Sequence, residues 1–114
     1  MPPKQNPLKL NKLQLRTLAL AQVLTRDPNT VKLDEATGDV ELLRIPQTHG
    51  DHVHVGQFVV SAQEASGFSN PTVWTALKRK GLARSDNPLT ITLTAAGVAY
   101  DTGSGDRFLT KSDH

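Results

Sequence analysis

Apolar residues first recur at helical spacing just after Asn11. Leu15, Leu18, Ala19 and Val23 form a stripe that Leu20 and Leu24 widen, which predicts a heavily buried helix. Asn11 and Gln14 make a capping-box pair, flanked by Leu10 and Leu15 at the two staple positions. The helix should end near Arg26, because Asp27 precedes Pro28 and a residue before proline avoids the α region. From Val31 the period shortens. Val31 and Leu33, a turn over 36–39, then Val40, Leu42, Leu43 and Ile45 predict a hairpin that Pro46 ends. Residues 47–51 are read as a turn. Val53, Val55 and, past Gly56, Phe58 and Val60 predict a strand with one buried face. Leu89, Ile91 and Leu93 alternate with Thr90 and Thr92 and predict another, after which Thr94 can cap a short helix over 95–101.

Between those strands, residues 61–84 predict two short helices joined by a tight turn. Ser61 and Glu64 suit a capping box, and Gly67 suits a C-terminal stop. Phe68 and Ser69 make the turn. Asn70 is a good N-cap and Pro71 fits the first helical position, where its missing N–H costs nothing. The second helix runs to Lys80 and stops at Gly81. Val73, Trp74 and Leu77 form its inward face, which leaves Thr72, Thr75, Ala76 and Arg79 outward. The one tryptophan is expected to be a core anchor behind this helix.

Composition narrows the classes. A chain of 114 residues is the size of one domain, with 37% hydrophobic and 4% aromatic residues, so its core is aliphatic. There is no cysteine, which excludes disulfides, thiolate metal sites and a thiol nucleophile. No apolar run approaches a membrane span and the first residues lack an apolar leader, so a cytoplasmic protein is expected. Residues 1–10, with three prolines and two lysines, read as a flexible basic arm, 11–102 as the folded domain, and 103–114 as a flexible polar tail. The net charge of +2 is small, but its distribution is uneven. Residues 31–60 hold five acids against Lys32 and Arg44, whereas 68–85 hold Lys78, Arg79, Lys80 and Arg84 with no acid. A polyanion would be drawn to the second helix and repelled by the middle of the chain.

The order helix, strand, helix, turn, helix, two-stranded wing and a closing helix resembles the winged helix-turn-helix family, and most of all the MarR- and PadR-type bacterial regulators. Gly67, Val73, Leu77, Gly81-Leu82 and Ile91-Thr92-Leu93-Thr94-Ala95-Ala96-Gly97 carry the resemblance. It spans roughly Val55 to Asp101 and implies an α+β fold, a small winged helix-turn-helix domain with an extra N-terminal β-hairpin. The chain departs from the family in a second helix about one turn short, a four-residue wing turn and the hairpin itself. The resemblance implies sequence-specific binding of double-stranded DNA by a homodimeric transcription regulator. The second helix would then enter the major groove. Thr72, Thr75 and Arg79 would meet base edges, Ser69 and Asn70 a phosphate at the helix start, and Lys78, Lys80 and Arg84 further phosphates.

Other chemistry is thin. His49 in a turn, with His52 and His54 sharing one face of a strand, could meet one Zn²⁺ or Ni²⁺. The favoured reading leaves these histidines as exposed strand residues, with no metal and no cofactor. Catalysis is not expected: there is no GxSxG elbow and no paired acid cluster in an apolar setting. The acids around 34–41 suit a solvated hairpin tip. The competing function is a protein-interaction module, in which the 31–45 hairpin adds a strand to a partner or forms a dimer interface.

Overall fold

Asn11 does what its position asks. Its side chain accepts from Gln14 N at 2.8 Å, and Gln14 Oε1 accepts from Asn11 N at 3.0 Å, closing a capping box on helix α1, Lys12–Leu24. The computed structural model describes residues 9–43, 48–50, 52–55, 58–62, 65–84, 90–100, 102 and 110–111, at some strand positions for the backbone alone. Leu10, at the staple position and inside the stretch read as an arm, is buried, and Leu15 packs against the same core. Thr17, Leu18, Ala19, Leu20, Ala21 and Val23 are all buried, as the broad stripe requires. The helix stops two residues short of Arg26, with Thr25 as its C-cap.

Strands β1 (Val31–Leu33) and β2 (Val40–Leu42) form the expected hairpin. Asp34 N donates to Asp39 O and Gly38 N to Asp34 O across the turn, with Gly38 in the left-handed region. The hairpin is not an appendage. Strands β3 (Thr48–His49), β4 (His52–Val55) and β5 (Phe58–Ser61) follow it. After helix α2 (Pro71–Arg79) comes β6 (Thr92–Leu93), which pairs with β2 to give an antiparallel sheet ordered β1-β2-β6. An isolated bridge then joins Leu93 to Ala83, and Arg84 N donates to Thr92 O at 2.9 Å. Helix α3, Ala95–Ala99, and strand β7, Thr110–Lys111, complete the elements. Among the described residues the chain is thus a small α+β domain of three α-helices, this three-stranded sheet and a second sheet ordered β3-β4-β5-β7. Its radius of gyration, 13.4 Å, is close to the ~13 Å of a compact domain of about 100 residues.

Four expectations are corrected. The strand over 53–60 is two strands, β4 and β5, paired back on each other with Val53 opposite Val60. The tail read as flexible contributes β7, which pairs with β5. His49 belongs to strand β3 and not to a turn. The first helix of the 61–84 stretch is absent in its expected form: Ser61 ends β5, and the chain then makes a single 3₁₀ turn, Ser66–Ser69. Six residues are too few to nucleate a helix without tertiary help, and here packing of Gly67 and Phe68 against the core wins. Gly67 is not a left-handed cap, since among the described glycines only Gly38, Gly50 and Gly81 have positive φ. Its hydrogen is required because a Cβ there would run into Thr17 Oγ1. Glu64, Pro46 and Leu89 lie outside the described residues.

Candidate nucleic-acid interface

Helix α2 is set by signals at both its ends. The Asn70 side chain accepts from Thr72 N at 3.0 Å, and Pro71 occupies the first turn. At the other end Gly81 has φ +77. Leu82 N donates to Leu77 O and Gly81 N to Lys78 O, both at 3.0 Å. These two bonds make a Schellman motif, and its usual apolar contact is available because Leu77 and Leu82 are both buried. Lys78 and Arg79 lie in the last turn, where cations complement the helix dipole.

The inward face is the one the spacing predicts. Val73, Trp74 and Leu77 are buried, the last two completely. Trp74 Nε1 donates to Phe68 O at 3.0 Å, and the two rings lie 6.4 Å apart at 40°. This bond ties the 3₁₀ turn to α2, so the expected core anchor is also a polar clamp. On the outer side Ser69, Thr72, Lys78, Arg79 and Lys80 are exposed, while Asn70, Thr75 and Ala76 are half-buried. Asn70 spends its side-chain oxygen on the cap. Seven of the eight residues expected to contact DNA therefore lie on or next to one helix, and three cations share its C-terminal end.

Arg84 is placed differently. Its Nε lies 2.6 Å from Asp39 Oδ2, so its guanidinium meets the tip of the β1–β2 hairpin. The hydrogen bond to Asp39 is the main reason that the Arg84 pKa is raised, with the charge of Asp39 adding to it. Sequence spacing could not disclose this partner, 45 positions away. Beside the pair, a pocket of ≈ 440 Å³ lies between Lys78, Arg84, Thr37 and Thr94. A larger groove of ≈ 620 Å³ is lined by Asp34, Glu35, Asp39 and Glu41, with Lys32 and Thr92. The acidic hairpin thus adjoins the basic end of α2 on the Arg84 side.

Leu93-Thr94-Ala95-Ala96-Gly97 acquires a physical meaning. Thr94 Oγ1 accepts from Gly97 N at 3.0 Å and donates to Gly81 O at 2.7 Å. Thr94 N donates to Leu82 O. A Cβ on Gly97 would collide with that same Leu82 carbonyl. The motif therefore docks the start of α3 on the end of α2. Gln22, from the last turn of α1, secures α3 from the other side, its Nε2 donating to Gly97 O and Tyr100 O.

Among the described residues no group of three metal-ligand side chains gathers, and no helix is long and apolar enough to cross a membrane. No family model, curated protein or solved structure matches this chain.

Proposed function

We propose that the chain binds double-stranded DNA through α2, as a winged helix-turn-helix domain similar to the MarR- and PadR-type regulators. The observation that carries this reading is the division of α2. One side is wholly committed to the core through Val73, Trp74 and Leu77, and the other presents Thr72 and Arg79 with an exposed basic end. The sheet supports it as well: β6 lies between β2 and Ala83, the strand order that a short wing after a recognition helix produces. In this reading Thr72, Thr75 and Arg79 meet base edges in the major groove, and Ser69, Asn70, Lys78 and Lys80 meet phosphates. Arg84 joins them only by leaving Asp39. A cytoplasmic transcription regulator that reads paired half-sites as a homodimer is the role that fits.

The test is affinity for duplex DNA as a function of salt. Each phosphate contact adds about one unit to the negative slope of log K against log [salt], so the double variant Lys78→Ala, Arg79→Ala should both weaken binding and flatten the slope. Absence of any gel shift with random duplex at low salt and micromolar protein would remove DNA binding from consideration.

A second reading rests on a separate observation. Strand β1 lies at the edge of its sheet, and Leu33 beside the acidic groove is 56% exposed, with Leu43 at 55%. An edge strand with an exposed leucine and acidic neighbours suits an added strand from a basic partner protein. Leu33→Lys should abolish such a partnership and leave DNA affinity unchanged.

A further inference from the structure

Strand β1 has one open edge. Its sheet runs β1-β2-β6 with Ala83 beyond β6, so among the described residues β1 is paired on one side only. The backbone shows which groups face outward. Leu43 N donates to Thr30 O and Asp34 N to Asp39 O, so Thr30 and Asp34 point towards β2 and its turn. By the alternation of an antiparallel ladder, Val31 and Leu33 turn their N–H and C=O to the open edge. Leu33 lies opposite Val40, which is buried, yet Leu33 itself is exposed. Its side chain therefore extends the core face to the rim of the sheet and stops there uncovered.

Both signs of charge flank this leucine. Lys32 and Asp34 are exposed and stand on the face opposite to Leu33. The Asp34 carboxylate is held in place by accepting from Ala36 N at 3.0 Å. The two exposed residues of β1, Lys32 and Leu33, offer two centres for pairing the strand with a second copy of itself. A two-fold axis at Lys32 sets two ammonium groups directly against each other, which destabilises the pair. With the axis at Leu33 the two leucines meet and exchange both N–H···O bonds. Lys32 of each copy then stands opposite Asp34 of the other. A wholly basic strand would meet Lys32 with like charge, whereas a second copy answers both signs. We propose that β1 pairs antiparallel with β1 of a second copy about a two-fold axis at Leu33, which joins two three-stranded sheets into one. This pairing needs no DNA, but its use as a spacing device rests on the DNA-binding reading. The order Ala83-β6-β2-β1, doubled, contains seven inter-strand steps of about 4.8 Å. The two Ala83 positions, each just after α2, then lie roughly 34 Å apart. Half-sites one DNA turn apart are separated by about 34–36 Å.

The experiment is sedimentation velocity of the full chain without DNA, from micromolar to millimolar protein. A three-residue edge makes a small interface, so a dimer that grows with concentration is expected. Lys32→Asp alone should leave the chain monomeric, and so should Asp34→Lys alone, because each opposes like charges. Mixing these two variants should restore a dimer with one chain of each kind, since every opposed pair then carries opposite signs. Circular dichroism checks that each variant is folded. A second measurement needs no variant. The Leu33 amide should exchange more slowly as protein concentration rises, whereas the Asp34 amide, bonded to Asp39 O, should not change. A monomer at every concentration with an indifferent Leu33 amide would overturn the proposal and leave the edge to another kind of partner. So would a dimer that both single variants retain, or folded variants that do not associate when mixed. None of these outcomes touches the gel shift with duplex, so the DNA reading stands or falls separately.

Discussion

At Gly67 and Thr17 two buried residues leave no room between them. A methyl group on Gly67 would strike Thr17 Oγ1, and the Thr17 Cβ would be only 3.0 Å away. Thr17 Oγ1 is itself buried without a hydrogen-bond partner. Gly67→Ala should therefore destabilise the fold by about 1–3 kcal/mol, the usual range for overpacking. Removing the hydroxyl in a Thr17→Ala, Gly67→Ala chain should recover part of that loss. Urea denaturation of the two single variants and the double gives the coupling directly, and strictly additive effects would refute the contact. Gly97→Ala should be harsher and without such rescue, since the obstructing atom is the Leu82 backbone carbonyl, which no side-chain change removes. None of this is visible in sequence. A glycine that ends a helix and one that admits a neighbour read alike until the neighbour is known.

At the scale of elements, legibility follows locality. The limits of α2 and the cap of α1 were readable because Asn70, Pro71, Gly81, Asn11 and Gln14 act within one turn of themselves. The 3₁₀ turn was not, because contacts with α1 decide it. The β4–β5 hairpin had a signal that the expected single strand obscured. Val53 and Val60 lie seven positions apart, so a continuous strand would put them on opposite faces, whereas the antiparallel pairing of β4 with β5 makes them partners on one. In the candidate interface the helix face and its basic end were legible, while the engagement of Arg84 by Asp39 was not. One prediction belongs to this scale. Trp74→Phe keeps an aromatic ring between the 3₁₀ turn and α2 but strands the Phe68 carbonyl, at a cost of about 1–3 kcal/mol. Chemical denaturation should show that loss, and wild-type stability in Trp74→Phe would mean that the bond contributes nothing.

For the molecule as a whole, the decisive property is where its charges meet. The acidic hairpin and the basic end of α2 adjoin through Asp39 and Arg84, so a DNA-binding surface here would be partly self-neutralised. Asp39→Asn should release Arg84 towards a phosphate, raise DNA affinity at low salt and steepen the salt slope by about one unit. An unchanged slope would place Arg84 outside the interface. Changing pH across the neutral range should not mimic this variant through Arg84. Its pKa is raised, so the stability it contributes is fully present below its ordinary value and is lost only as pH climbs through the still higher folded value. A DNA-binding curve measured between neutral and mildly alkaline pH should show no step from Arg84.

The Gln22 bonds also have a consequence in time. The side chain of Gln22 is satisfied by carbonyls 75 and 78 positions further along the chain. At a synthesis rate of about 5–20 residues per second, the first helix must wait roughly 4–15 seconds for the partners that secure it. A nascent chain halted before Gly97 should therefore be digested readily by protease, and one extended past Tyr100 should gain protection in a single step rather than gradually. The docking of α3 on α1 is thus a late event in the making of this chain.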